Sequence, residues 1–129
     1  MNKLDQNSVI GITALLVHAA KIDEIYTESE KNLVKDFIKS YLIDNDTDEI
    51  LKKAEEIEKN SNQLLNYTNI IKKNSIEFKK DIIEHLWKVI ISDKSVDQYE
   101  ANLMRRICGL IYFPDKECAE IKLKLLNSK

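Results

Sequence analysis

With 129 residues, two Gly and one Pro, the chain is long enough to bury roughly two-thirds of its unfolded surface in one domain, and its wealth of Lys, Glu, Ile, Leu and Asn disfavours a turn-rich β fold. A formal net charge of −2 removes the electrostatic case for a nucleic-acid binder. No apolar run approaches the roughly 18–20 residues of a membrane span, and MNKLDQNS lacks the apolar core of a signal peptide, so a soluble cytoplasmic protein is expected.

Apolar residues then recur at helix spacing along the whole chain. Val9, Ile10, Ile12, Leu15, Leu16, Ala19 and Ala20 predict a first helix over about 7–21, packing by its Val/Ile/Leu face. Thr27 followed by Glu30 is a capping box, and Leu33, Val34, Phe37, Ile38 and Tyr41 carry a second helix to about Leu42. Asp46 and Glu49 repeat the device for a third helix with Ile50, Leu51, Ala54 and Ile57, which ends near Asn60. Leu64, Leu65, Tyr67, Ile70 and Ile71 predict a shorter fourth helix, ended around Asn74 and Ser75. The fifth, with Ile76, Phe78, Ile82, Ile83, Leu86, Trp87, Val89, Ile90 and Ile91, is the most apolar and is expected at the centre, Trp87 serving as a large packing residue. Asp97 and Glu100 cap a sixth helix through Leu103, Met104, Ile107, Leu110 and Ile111, which Pro114 is expected to stop. Cys118, Ile121, Leu123, Leu125 and Leu126 supply a short last one. Short connections and no sustained seven-residue repeat make this an all-α compact bundle of about seven helices in a single domain over 1–129.

Two segments of this bundle repeat. DEIYTESEKNL begins at Asp23 and DKSVDQYEANL at Asp93, both reading Asp, six residues, Glu, one residue, Asn-Leu. At the same seventy-residue offset Leu16 pairs with Leu86, Ala20 with Ile90, Val34 with Met104 and Phe37 with Ile107. The unit is a helical hairpin, duplicated over about 7–60 and 75–126, and a pseudo-twofold arrangement follows.

The repeat also concentrates the candidate chemistry. Residues 22–58 carry a net charge of −7 and the remainder +5, an acidic region suited to cations or a basic partner but equally to a solvated face. Hard divalent cations take six or more oxygen ligands, which Asp23 and Glu30 with Asp93, Asp97 and Glu100 could supply if the two connections meet. Against this, both Glu residues are explained by capping boxes, whereas Asp23 and Asp93 near helix C-termini are not. Asp44, Asp46, Asp48 and Glu55 fall at positions one, three, five and twelve of an EF-hand loop, but Glu49 stands where a sharp turn needs Gly, which favours N-capping. His18 and His85, one on each equivalent helix, could join Asp23 at zinc, although a lone His per helix is more often a packed or surface residue. Cys108 and Cys118 are ten apart, match no metal-ligand spacing, and are expected as reduced core or surface residues. The short basic stretch IKKNSIEFKK is matched by acids elsewhere. No nucleophile beside a base, Gly-rich phosphate loop or paired acid and base stands at recognisable spacing, so a catalytic reading reduces to metal-dependent hydrolysis at these same carboxylates.

LLVHAAKIDEIYTESEKNL in the first half and LWKVIISDKSVDQYEANLMRRI in the second resemble the TerB family, the tellurite-resistance protein B-like domains, over nearly the whole chain. Each resembles that family's apolar helix, Asp-Gly pair and Glu opening the next helix. The resemblance implies an all-helical bundle with pseudo-twofold symmetry and a divalent-cation site (Ca²⁺, Mg²⁺ or Mn²⁺) in the acidic connections. It further implies a non-catalytic stress-response or adaptor domain docking a protein partner, in some members near membrane complexes. Two departures stand out: Glu24 and Lys94 occupy the positions of the family's Gly, and Thr27 stands where the second copy keeps Asp97. A purely structural interaction bundle without metal is the remaining reading.

Overall fold

The computed structural model of the chain describes residues 5–21, 26–42, 46–60, 68–92 and 98–127. Among these run seven helices and no strand: α1 (Gln6–Ala20), α2 (Glu28–Tyr41), α3 (Thr47–Asn60), α4 (Thr68–Lys72), α5 (Ile76–Ile91), α6 (Gln98–Ile111) and α7 (Asp115–Asn127). Their starts are set by side chains that take up the orphan N–H groups of a first turn. The Asp5 carboxylate accepts the Ser8 N–H at 2.7 Å, and the Ser75 hydroxyl accepts the Phe78 N–H at 3.2 Å. Asp46 accepts from Asp48 and Glu49 at 3.0 and 3.3 Å, the capping role expected of it, while Glu49 pairs with Lys53 at 3.4 Å. Thr27 and Glu30 close the capping box of α2 in both directions. Leu64, Leu65 and Tyr67, assigned to the fourth helix from sequence, lie outside the described residues, as does Asp97 at the start of α6.

The end of α6 differs from the sequence reading. Pro114 does not stop it; the helix has already ended at Ile111, because Tyr112 turns to a left-handed φ of 60°. The Phe113 N–H then reaches the Cys108 carbonyl at 2.9 Å and the Tyr112 N–H the Gly109 carbonyl at 3.4 Å. This bond pair is a Schellman motif, and buried Phe113 and Cys108 supply its apolar contact. Pro114 instead begins α7, its carbonyl accepting the Cys118 N–H at 3.1 Å.

At the centre α5 packs on α1, α2, α4, α6 and α7, as expected of it. α1 is also buried on nearly every side, with Val9 through Val17 and Ala19–Ala20 all in the interior. Small residues explain this. Gly11, Thr13, Ala14, Ala19 and Ala20 let α2, α3 and α5 all approach α1, and the Thr13 hydroxyl is satisfied internally by donating to the Val9 carbonyl at 2.6 Å.

The duplication is visible in packing. α1 packs on α2 and α3, α5 packs on α6 and α7 in the same pattern, and α1 meets α5. α2 and α6 are each 14 residues long, and begin and end seventy residues apart. All four residue pairs singled out by the offset, from Leu16 with Leu86 to Phe37 with Ile107, are buried in one apolar cluster. The short α4, between the halves in sequence, packs on the second of them, against α5 and α6.

Candidate functional site

Of the five carboxylates assigned to a cation, Glu30 and Glu100 fall within the described residues and Asp23, Asp93 and Asp97 outside them. Glu30 and Glu100 occupy the third position of α2 and α6, and each is only 2 % exposed. Amphipathic periodicity puts them there. On α2, Glu30, Val34, Phe37 and Ile38 share one inward stripe, so the stripe that builds the core also carries the acid inward. Glu30 Oε1 accepts from the Thr27 N–H at 2.8 Å and from its hydroxyl at 3.2 Å, while Thr27 Oγ1 accepts the Glu30 N–H at 3.1 Å. The capping role predicted for Glu30 is therefore present in its geometry. As oxygen donors the two Glu residues suit a hard cation, though among the described residues no three His, Cys, Asp or Glu side chains gather closely enough to hold a metal.

Tyr26, just before α2, makes a contact that spacing did not reveal. Tyr26 donates its hydroxyl to Glu55 on α3 at 2.7 Å, and Lys31 lies 5.2 Å from the centre of its ring. Burial, then the Glu55 carboxylate, push the Tyr26 phenol far above its usual range, so it stays a donor. Glu55 is thus engaged with Tyr26, Asp46 caps α3, and Asp48 pairs with Lys35 at 2.9 Å. Lys35 holds the Asp48 carboxyl below the ordinary carboxylate range. Three of the four EF-hand positions therefore have other roles, and Asp44 lies outside the described residues.

The histidines face separate carboxylates. His18 Nδ1 lies 3.4 Å from Glu58 Oε2, and the other Glu58 oxygen takes Lys21 at 2.8 Å. His85 Nε2 lies 3.7 Å from Asp81 Oδ2, which accepts the Tyr41 hydroxyl at 2.5 Å. Phe37 meets the His85 ring edge-on at 5.3 Å. Burial lowers the His85 pKa and outweighs Asp81, keeping the imidazole neutral. Both clusters join residues about forty apart, for which local pattern carries no signal beyond a polar group on an otherwise inward helical face.

Concavities also mark the described surface. One, of about 610 Å³, lies between the start of α1 and the end of α3, with Ile10 and Ile57 in its wall beside Lys53 and Glu56. Another, of about 460 Å³, lies among α5, α6 and α7, where Cys118, Trp87, Arg105 and Lys122 face it. No described helix is long and apolar enough to cross a membrane.

No curated protein and no solved structure matches the chain significantly. The family model described as Tellurite resistance protein TerB matches residues 9–123, from the second turn of α1 into the last turns of α7, and so takes in both hairpins and both acidic connections. With most of its length matched and its all-helical architecture in agreement, the chain belongs to the TerB family.

Proposed function

We propose that the chain is a non-catalytic TerB-like adaptor domain of the stress response, which binds Ca²⁺, Mg²⁺ or Mn²⁺ through Asp23, Glu30, Asp93, Asp97 and Glu100 and docks a protein partner in a membrane-associated complex. The observation that carries this reading is the matched burial of Glu30 and Glu100, seventy residues apart and each just after an acidic connection. Their burial at equivalent positions sets one carboxylate just after each connection, an oxygen donor of the kind a hard cation takes. Cation binding would tie the two connections together and set the relative position of α2 and α6. Ile10 and Ile57, in the otherwise polar wall of the groove between α1 and α3, offer a partner a place to bury a side chain.

The closed capping box at Thr27 and Glu30 favours a second, purely structural reading. A thermal-unfolding titration separates the two. Protein freed of metal by a chelator is titrated with Ca²⁺, Mg²⁺, Mn²⁺ and Zn²⁺ at fixed ionic strength. A ligand that binds only the folded state stabilises it by about 2.7 kcal/mol at a hundredfold excess over Kd. The expected result is a saturable rise in Tm that disappears in the Asp23→Asn/Asp93→Asn double variant. No rise with any cation would reduce both connections to helix caps. Turnover of phosphoesters lost in the same double variant would instead establish the hydrolase.

A further inference from the structure

The cleft among α5, α6 and α7 has a composition that packing alone does not require. Cys118 lines it, while Cys108, from the last turn of α6, is fully buried. The two thiols are free, and each alters the other's acidity across the α6–α7 turn. On the other side the Trp87 indole N–H points at Cys118 Sγ from 3.3 Å. Lys122 lies 5.5 Å from the centre of the same indole, and Arg105 faces the cleft from α6. Cys118 thus receives the Trp87 N–H, has a cation nearby in Lys122 and an acid in Asp115, and opens on a space far larger than one small oxidant, to which a water's share of about 30 Å³ is comparable.

We propose that Cys118 is a peroxide-reactive thiol and Cys108 its resolving partner, forming a reversible disulfide between α6 and α7 at a site separate from the acidic connections. The Cys118 thiolate attacks one oxygen of a hydroperoxide. The O–O bond breaks, the second oxygen leaves with a proton as water or an alcohol, and Cys118 becomes a sulfenic acid, oxidised by two electrons as the peroxide is reduced. Cys108 Sγ then attacks that sulfur, the S–O bond breaks, and the hydroxyl leaves as water with the proton of Cys108. A small dithiol reverses the reaction by thiol–disulfide exchange.

The roles follow from the surroundings. The Cys108 thiol, then the Trp87 N–H, with help from Lys122, bring the Cys118 pKa down to about 7 against the opposing effects of burial and Asp115. Cys108 moves the other way, because the Cys118 sulfur favours its protonated form and its burial disfavours charge. A core cysteine in purely apolar surroundings would only be raised. The attacking sulfur is therefore the one at the cleft, and the partner keeps its proton until the second step.

The test uses the reduced full chain, exposed to hydrogen peroxide and then to an alkylating agent, with intact mass and non-reducing tryptic maps as readouts. The expected result is loss of both alkylation sites within one chain, a cross-linked pair of peptides containing Cys108 and Cys118, and full recovery with dithiothreitol. Without peroxide, the alkylation rate of Cys118 should be half-maximal near pH 7 and should shift upward in Trp87→Phe. Cys108→Ser should stop at a sulfenic acid that dimedone traps on Cys118, and Cys118→Ser should leave Cys108 unoxidised. If the wild-type thiols stay fully alkylatable under peroxide that consumes glutathione, if the disulfide forms only between chains, or if alkylation rises only as for an ordinary thiol, the proposal is overturned. The wild-type measurements stand even where a variant fails to fold.

Discussion

At the scale of single residues, the fold departs from local preference at Tyr112. A bulky side chain at a left-handed φ costs roughly 1–2 kcal/mol, and the position after a helix end is where Gly relieves that cost. Tyr112 is 69 % exposed, so packing does not hold it there. What the ring does gain is Lys72, 4.6 Å from its centre, an exposed cation–π contact of about 0.5–1 kcal/mol. Two substitutions separate strain from contact. Tyr112→Ala loses the ring and keeps the left-handed backbone, whereas Tyr112→Gly loses the ring and the strain together. Urea denaturation is expected to find the Gly variant more stable than the Ala variant by about 1 kcal/mol, the reverse of their order inside a helix. Equal midpoints would mean that the turn relaxes without a left-handed residue.

At the scale of elements, buried polar groups decide how helices hold one another. α2 and α5 are joined by Tyr41, Asp81 and His85, with Phe37 against the imidazole and Phe78 against the Tyr41 ring. The groups facing His85 are Asp81, Glu84 and Lys88 from α5 and Asp36 from α2; burial outweighs the acids and depresses its pKa below the 6.5 of an unfolded chain. The sign follows directly. Below about pH 6.5 the unfolded chain takes up a proton that the folded chain resists, so stability is full near neutrality, falls as pH drops from 6.5 toward the depressed value, and levels off below it. Its slope is at most about 1.4 kcal/mol per pH unit for one group. Denaturation at pH 7, 6 and 5 is expected to show this loss in the wild type and a shallower one in His85→Phe. An unchanged slope in the variant would assign the acid sensitivity to other groups.

At the scale of the whole molecule, duplication makes the two halves answer for each other. Leu16 and Leu86 are equivalent, fully buried, and belong to the helices where the halves meet. Replacing either with Ala is expected to cost about 2–5 kcal/mol, a loss that calorimetry or urea denaturation would measure. Because native stability is typically about 5–15 kcal/mol, the double variant should be largely unfolded at room temperature. A cost confined to one half would show that the two hairpins do not share a cooperative core.

Most of the helical plan was legible because amphipathic period, caps and breakers act within one turn of chain. Thr27 and Glu30, Asp46, and Ser75 could be read as helix starts for that reason, and the buried pairs from Leu16 with Leu86 to Phe37 with Ile107 followed from the repeat. Of the candidate cation residues, the sequence located Glu30 and Glu100 in the repeat, and the fold added their burial. Local pattern placed α5 at the centre, where it packs on five helices, but did not show that the small residues of α1 let three helices close around it. It left Glu55 without a partner on the third helix, where Tyr26, twenty-nine residues away, donates to it. It also treated Cys108 and Cys118 as separate small residues, because only the turn of α6 onto α7 and the approach of Trp87 from α5 bring the three together. Local sequence thus determined the helices and their repeat through interactions a few residues long, whereas the tertiary structure decided which polar groups meet, because those contacts depend on helices folded against each other across thirty to forty residues.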